Sequence, residues 1–247
     1  MKALTGHRSI RKFKPDPIHD ELLNTILRAG IRASTTGNMQ LYSIIVTRDI
    51  KKRELLAPCH FNQQMVKEAP VLLTFCADIN RFTRWCNERA AEPAYNNFLW
   101  FVNAATDALL AAQNCCIAAE ENGLGICYLG TTLYMADEII HALALPPGVM
   151  PVTTVVMGIP AEEPPLTDRL PEAAVIHYEN YNDYTVTTIN KLYKEKELLP
   201  LTQKLLKENN KQTLAQVFTD NRYKKPDNIK FSQKLLNTLH KQGFMNQ

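Results

Sequence analysis

The chain has 247 residues, 45% hydrophobic and 21% charged, with a formal net charge of +3. This is ordinary globular composition, enough for one large domain or two small ones with a substantial core. It excludes a disordered or fibrous chain, and no apolar run approaches the roughly eighteen residues of a membrane span. The opening "MKALTGHRSI" lacks the apolar stretch of a secretory signal, so a cytoplasmic location is expected. Cys59, Cys76, Cys86, Cys115, Cys116 and Cys127 form no Cys-x-x-Cys pair and read as reduced thiols. The six histidines show no metal-ligand spacing, and no metal is expected.

Charge is unevenly spread. From Lys191 to Gln247 there are 12 Lys+Arg against 5 Asp+Glu, a net +7, which leaves −4 for the first 190 residues. A Lys-rich tail of this kind is either a solvated helix face or a field that attracts an anionic ligand.

In chain order, "HRSIRKFKPDPI" (7–18) concentrates cations before two prolines. "IHDELLNTILRAGIRA" carries Leu22, Leu23, Ile26, Leu27 and Ile31 at helical spacing. "STTGNMQ" (34–40) is a polar turn, "LYSIIVTRD" a strand, "KKRELLAP" a short helix and "PVLLTFCADI" a second buried strand. "NRFTRWCNER" reads as helix. The longest helix candidate is "NNFLWFVNAATDALLAAQNCCIAAEENGLG", whose Ala- and Cys-rich stripe suits a central or subunit-interface helix and whose Gly123 is a left-handed stop. "GICYLG" and "VMPVTTVVMGIP" read as strands flanking the helix "MADEIIHALAL". After the Pro-rich "AEEPPLTDRLPEAAV", roughly 185–242 is mostly helical. Few strands and many helices predict an α+β fold, a small sheet wrapped by helices. No domain boundary is evident, so a single domain over 1–247 with a basic helical excursion at about 185–242 is expected.

Guanidinium, imidazole and hydroxyl groups together are how proteins hold phosphate, since none repels the anion and arginine presents a fixed fork. "HRSIRKF" offers that set, though a solvated basic arm has the same composition. Arg169 adds a cation on a proline-stiffened loop, and Asn38 and Gln40 are amides suited to the imide edge of a heterocycle. "YLGTT" (128–132) follows a strand and precedes a helix, so the N–H groups of Gly130 and Thr131 are placed to meet an anion or ring. Gly-x-Ser-x-Gly, His-Glu-x-x-His, a Walker lysine loop and Gly-x-Gly-x-x-Gly are all missing.

Taken in order, "HRSIRKF", "STTGNMQLYSIIVTRD", "GLGICYLG", "GIP" and "LTDRLP" resemble the nitroreductase family, and more closely its NADPH-preferring nitroreductase and flavin reductase branch; "LHKQGF" resembles that branch's C-terminal end. The resemblance covers nearly the whole chain. It implies an α+β sandwich and a homodimer, with the long helices at the interface and FMN between subunits. His7, Arg8, Ser9 and Arg11 would then hold the phosphate, ribityl chain and pyrimidine edge. Thr35, Asn38 and Gln40 would reach the flavin from the other subunit, and Gln63 would face the ring edge. Leu129, Gly130 and Thr131 would line the isoalloxazine, and Arg169 would grip the phosphate.

Two departures stand out. Where the family has a lysine two residues before that arginine, this chain has Thr167. Where the branch has an arginine-rich NADPH loop, this chain has Lys204, Lys207 and Lys211, which attract a phosphate without a bidentate fork. The expected activity is ping-pong, two-electron reduction of nitroaromatics or quinones by NAD(P)H, with no protein general acid or base. Supplying reduced FMN to another protein is the alternative. A non-catalytic anion or nucleic-acid binder is a distant third, because no RNP-like motif, zinc finger or basic heptad helix accompanies the basic tail. NADH versus NADPH and the physiological acceptor stay open.

Overall fold

The computed structural model describes residues 2–247. Four runs rich in β-branched and aromatic residues become strands, because such side chains pack well on a pleated surface. They are β1 (Tyr42–Thr47), β2 (Val71–Asp78), β3 (Gly125–Leu129) and β4 (Val149–Gly158). All pair antiparallel in the order β1-β2-β4-β3. The two central strands are buried along their whole length, so they read as continuous apolar runs and not as alternating ones. Pro151 lies in a central strand, beside the register shift of the β2–β4 ladder, where a missing N–H is tolerated.

The helices are α1 (Lys2–Thr5), α2 (Asp20–Ile31), α3 (Ile50–Leu56), α4 (Gln64–Glu68), α5 (Asn80–Asn87), α6 (Phe98–Glu121), α7 (Ala136–Leu143), α8 (Val186–Leu198), α9 (Pro200–Asn209), α10 (Leu214–Gln216) and α11 (Lys225–Lys241); α1 and α4 are short and lie outside the segments read as helix from sequence. The chain forms two compact units, one of residues up to Pro165 together with Ser232–Gln247, the other Leu166–Phe231.

The first unit is built around α6. Asn97 caps it by accepting from the Trp100 N–H, and the chain leaves it through Gly123 at φ +77°, as its glycine suggests. The stripe Ala104, Ala108, Ala111, Ala112, Cys115, Cys116 and Ala119 is buried within this chain. Small side chains let α2 approach closely: a Cβ on Gly30 would fall 2.3 Å from Cys115 Sγ. The small-residue face therefore serves internal packing. Phe98, Leu99, Val102, Leu109 and Leu110 of the same helix remain exposed. The C-terminal end of α11 ties to α7 through Lys234–Glu138 and Lys241–Asp137, and buried Phe244 packs edge-on against Phe101. All six cysteines are free and buried.

In the second unit, α8 is capped by Thr185, which accepts from the Thr188 N–H, and α10 opens with a reciprocal Thr213–Gln216 capping box. α10 runs on into a π-helical turn over Val217–Arg222. Among the described residues no helix is long and apolar enough to cross a membrane, and no group of His, Cys, Asp and Glu is placed to hold a metal ion.

Candidate functional site

The basic segment is a clamped ribbon. Ser9 bridges to Ile126, and Ile10 N–H donates to Ile126 O at 2.9 Å, which adds the segment beside β3. Farther on, Lys14 N–H donates to Ile159 O and Ala161 N–H to Lys12 O, both at 2.9 Å. Ile10 and Phe13 are buried anchors. Each sits over a glycine: a Cβ on Gly125 would fall 2.6 Å from Ile10 Cγ1, and one on Gly158 2.8 Å from Phe13 Cδ1. The neighbouring polar side chains are consequently carried on fixed backbone.

Within that ribbon, Glu162 accepts the backbone N–H groups of Arg11 (2.7 Å) and Lys12 (3.0 Å). His7 Nδ1 lies 2.7 Å from Glu120 Oε1 of α6. Arg8 Nη1 donates to Gly6 O at 3.3 Å, and its buried Nε has no partner. The exposed Arg11 bonds only weakly to Ser9 O, at 3.4 Å. Among the described residues neither guanidinium has a carboxylate partner. Burial pushes the Cys127 thiol up, and the Arg11 charge and a bond to the Ser9 side chain pull the other way, so Ser9 and Arg11 share the Cys127 side of β3.

The 34–40 loop is held from below. Asp107, 1% exposed on α6, accepts Thr36 N–H at 2.9 Å, Thr36 Oγ1–H at 3.3 Å and Leu41 N–H at 3.2 Å. This anchor gave no sequence signal, because an Asp on an otherwise apolar helix face reads as an irregularity. Gly37, Asn38 and Gln40 all take positive φ, near +55°. Gln40 Nε2 donates to Asn38 O and Oδ1, both at 3.0 Å, so these two expected amides stand together while Thr35 sits one residue before the anchored Thr36.

A third element is the turn after α3. Gln63 Nε2 donates to His60 O at 3.1 Å, and the fully buried His60 places Nδ1 2.8 Å from Thr131 Oγ1. Gln63 and Thr131, far apart in sequence, are thus brought to one locality. Leu129 is buried; Gly130 is exposed, and a Cβ there would meet nothing within 4 Å. His60 was not singled out by sequence reasoning, since a lone His beside a Cys has no spacing signal.

In the second unit, exposed Arg169 donates only to its own loop, to Thr167 O (3.2 Å) and Asp168 O (3.0 Å). Lys196 of α8 pairs with Asp168, so a cation does stand at this loop although Thr167 replaces the family lysine. Of the three expected nicotinamide-site lysines, Lys204 pairs with Glu208 at 3.7 Å and Lys211 with Asp220 at 2.8 Å. Lys207 is exposed with no carboxylate partner among the described residues. Arg222, unforeseen, lies 5.9 Å over the Phe218 ring.

A small antiparallel sheet wrapped by helices, with an arginine-bearing ribbon on its β3 edge, defines the class, and comparison supplies the family. The chain matches the Nitroreductase family over residues 4–159 and belongs to that family. It is 35% identical over 184 residues to an FMN reductase (NADPH) of Bacillus subtilis, covering 74% of each chain. It is 34% identical over 181 residues to an oxygen-insensitive NADPH nitroreductase of Salmonella typhimurium, covering 73% of this chain and 74% of the relative. A crystal structure described as an oxidoreductase from Bacteroides fragilis superposes with a TM-score of 0.98 at 55% identity, covering 100% of both chains.

Proposed function

We propose that this chain is an FMN-dependent NAD(P)H oxidoreductase that reduces small aromatic acceptors two electrons at a time. Family membership and the names of its relatives support FMN as cofactor and NAD(P)H as reductant. The observation that carries the reading is the clamped ribbon, on which Arg8 and Arg11 bond only backbone carbonyls and have no carboxylate partner among the described residues. The fit to the cofactor rests on this donor set and on the open space over Gly130, where a flat ring can approach the backbone.

In this assignment His7, Arg8, Ser9 and Arg11 bind phosphate, ribityl and pyrimidine edge. Leu129, Gly130 and Thr131 line the ring, Gln63 faces its edge, and Arg169 is assigned to the phosphate. Bound FMN supplies the hydride relay between reductant and acceptor. The residues would position it and hold cations near its negative charge. Lys204, Lys207 and Lys211 are assigned to the nicotinamide dinucleotide; of these, Lys207 has no carboxylate partner among the described residues.

The chain is proposed to act as a homodimer. The exposed apolar side chains of α6 (Phe98, Leu99, Val102, Leu109 and Leu110) support that reading, because one helix face this apolar is costly to leave in water. Thr35, Asn38 and Gln40 would then reach the flavin of the other subunit. Delivery of reduced FMN to another protein is a second reading; the Bacillus subtilis relative is named an FMN reductase (NADPH), which supports free FMN as an acceptor.

The test is direct. The purified protein is expected to be yellow, or to take up added FMN, and to oxidise NAD(P)H with a quinone or nitro compound present. A colourless protein that binds no FMN would end the proposal. Relative kcat/KM for nitrofurazone and free FMN then separates the two readings.

A further inference from the structure

We propose that His60 is a positioning residue of the flavin site, turning the Thr131 hydroxyl into a directed donor; this rests on the FMN reading above. His60 is fully buried and acts at two points. Its carbonyl accepts both the backbone N–H of Gln63 (3.2 Å) and the Gln63 Nε2 (3.1 Å). Its ring Nδ1 meets Thr131 Oγ1 at 2.8 Å. One side chain and its carbonyl therefore fasten two residues assigned to the flavin that come from different elements.

The backbone bends sharply to make this possible. Phe61 and Asn62, successive non-glycine residues, take φ of +55° and +54°. A bulky residue such as Phe61 rarely adopts the left-handed region, and strain of this kind persists where the surroundings over-determine it. Asn62 N–H reaches back to Ala57 O at 2.8 Å, closing the turn that returns Gln63 to His60.

The ring's tautomer follows from its other nitrogen. His60 Nε2 is buried and has no partner. A buried N–H without an acceptor is rarer and costlier than an unused lone pair. The proton accordingly sits on Nδ1 and is donated to Thr131 Oγ1. Burial holds the imidazole in its neutral form, which keeps that arrangement fixed near neutral pH. Thr131, already accepting, has its own hydroxyl hydrogen free to donate elsewhere. It stands next to exposed Gly130, over which there is open space. Thr131 would then present a hydrogen-bond donor to a polar edge of the flavin ring, aimed by His60.

The experiment uses the FMN-loaded protein and four variants: H60N, H60L, T131V and H60L/T131V. Asparagine restores an amide donor close to the Nδ1 position, whereas leucine keeps bulk without a donor. T131V and H60L are expected to weaken FMN binding about tenfold each, shift the visible flavin spectrum and make its midpoint potential more negative. The double variant should be no worse than either single one, and H60N should stay within about threefold of wild type. A lower melting temperature in H60L with wild-type spectrum, potential and FMN Kd overturns the proposal, as do strictly additive effects. Should H60L fail to fold, T131V decides: wild-type FMN affinity and potential there also overturn it. A wild-type chain that takes up no FMN sinks the flavin reading as well, whereas wild-type binding with unchanged variants sinks this inference alone.

Discussion

Ile10 rests on Gly125 so closely that a Cβ at residue 125 would lie 2.8 Å from the Ile10 Cβ. This contact sets the separation between the basic ribbon and β3, and so the height of Arg8, Ser9 and Arg11 relative to the Gly130 end of that strand. Gly125→Ala is expected to cost about 1–3 kcal/mol by overpacking. It should also weaken FMN binding, since the ribbon must move. Urea unfolding reads the first effect and flavin fluorescence titration the second; an unaltered FMN Kd in a folded G125A protein would show that ribbon placement does not matter.

Arg11→Ala and Arg169→Ala each remove a guanidinium with no carboxylate partner among the described residues. Each should weaken FMN retention by about 1.5–3 kcal/mol, the range for a lost hydrogen bond to a charged group. Fold stability should change little, because both side chains are exposed. Isothermal titration with FMN checks this; unchanged affinity in both would contradict the phosphate assignment.

Asp107→Asn tests the loop anchor. The Oδ2 that now accepts the Leu41 N–H would become either an amide facing that donor or, after a flip, an amide facing the Thr36 N–H. One buried donor is stranded in both orientations, at about 1–3 kcal/mol. Thermal unfolding should report the loss, and the 34–40 amides should exchange hydrogen faster. Wild-type protection of those amides would show that Asp107 is not what orders the loop.

His60 predicts an acid limb in stability. Burial pushes its imidazole down to about 4 from the ordinary 6.5. Above 6.5 the ring is neutral in both folded and unfolded chains and contributes no pH dependence. Between 6.5 and about 4 only the unfolded chain takes up the proton, so stability falls with pH, by about 1.4 kcal/mol per unit and roughly 3 kcal/mol in all. H60N should lose about 2 kcal/mol less than wild type between pH 7 and pH 5 in urea titrations. Equal losses would mean that the ring titrates freely in the folded state.

Much of this architecture is legible in the amino acids alone. The alternation of apolar runs with turn residues marks β1 to β4, and threes-and-fours spacing marks α2 and α6. Gly123 announces the end of α6. These signals are local: a period of two or 3.6 residues is imposed by backbone geometry within a few positions. The ordered motifs likewise single out Arg8, Arg11 and Gly130, because anion and ring chemistry demands particular residue types.

The supports of the site are a different matter. Asp107 beneath Thr36 and Leu41, Glu162 on the N–H groups of Arg11 and Lys12, and His60 against Thr131 join residues remote along the chain. Their meaning depends on a partner, and no period or neighbour reveals it. The small-residue face of α6 suited either a central or an interface helix until the closeness of Gly30 to Cys115 placed it inside. The sequence by itself determined the order of the strands and of the longer helices of the first 160 residues, and the family, since these rest on local pattern and residue chemistry. Only the tertiary structure decided which buried polar groups satisfy one another, because that pairing is made through space by the packing of distant segments.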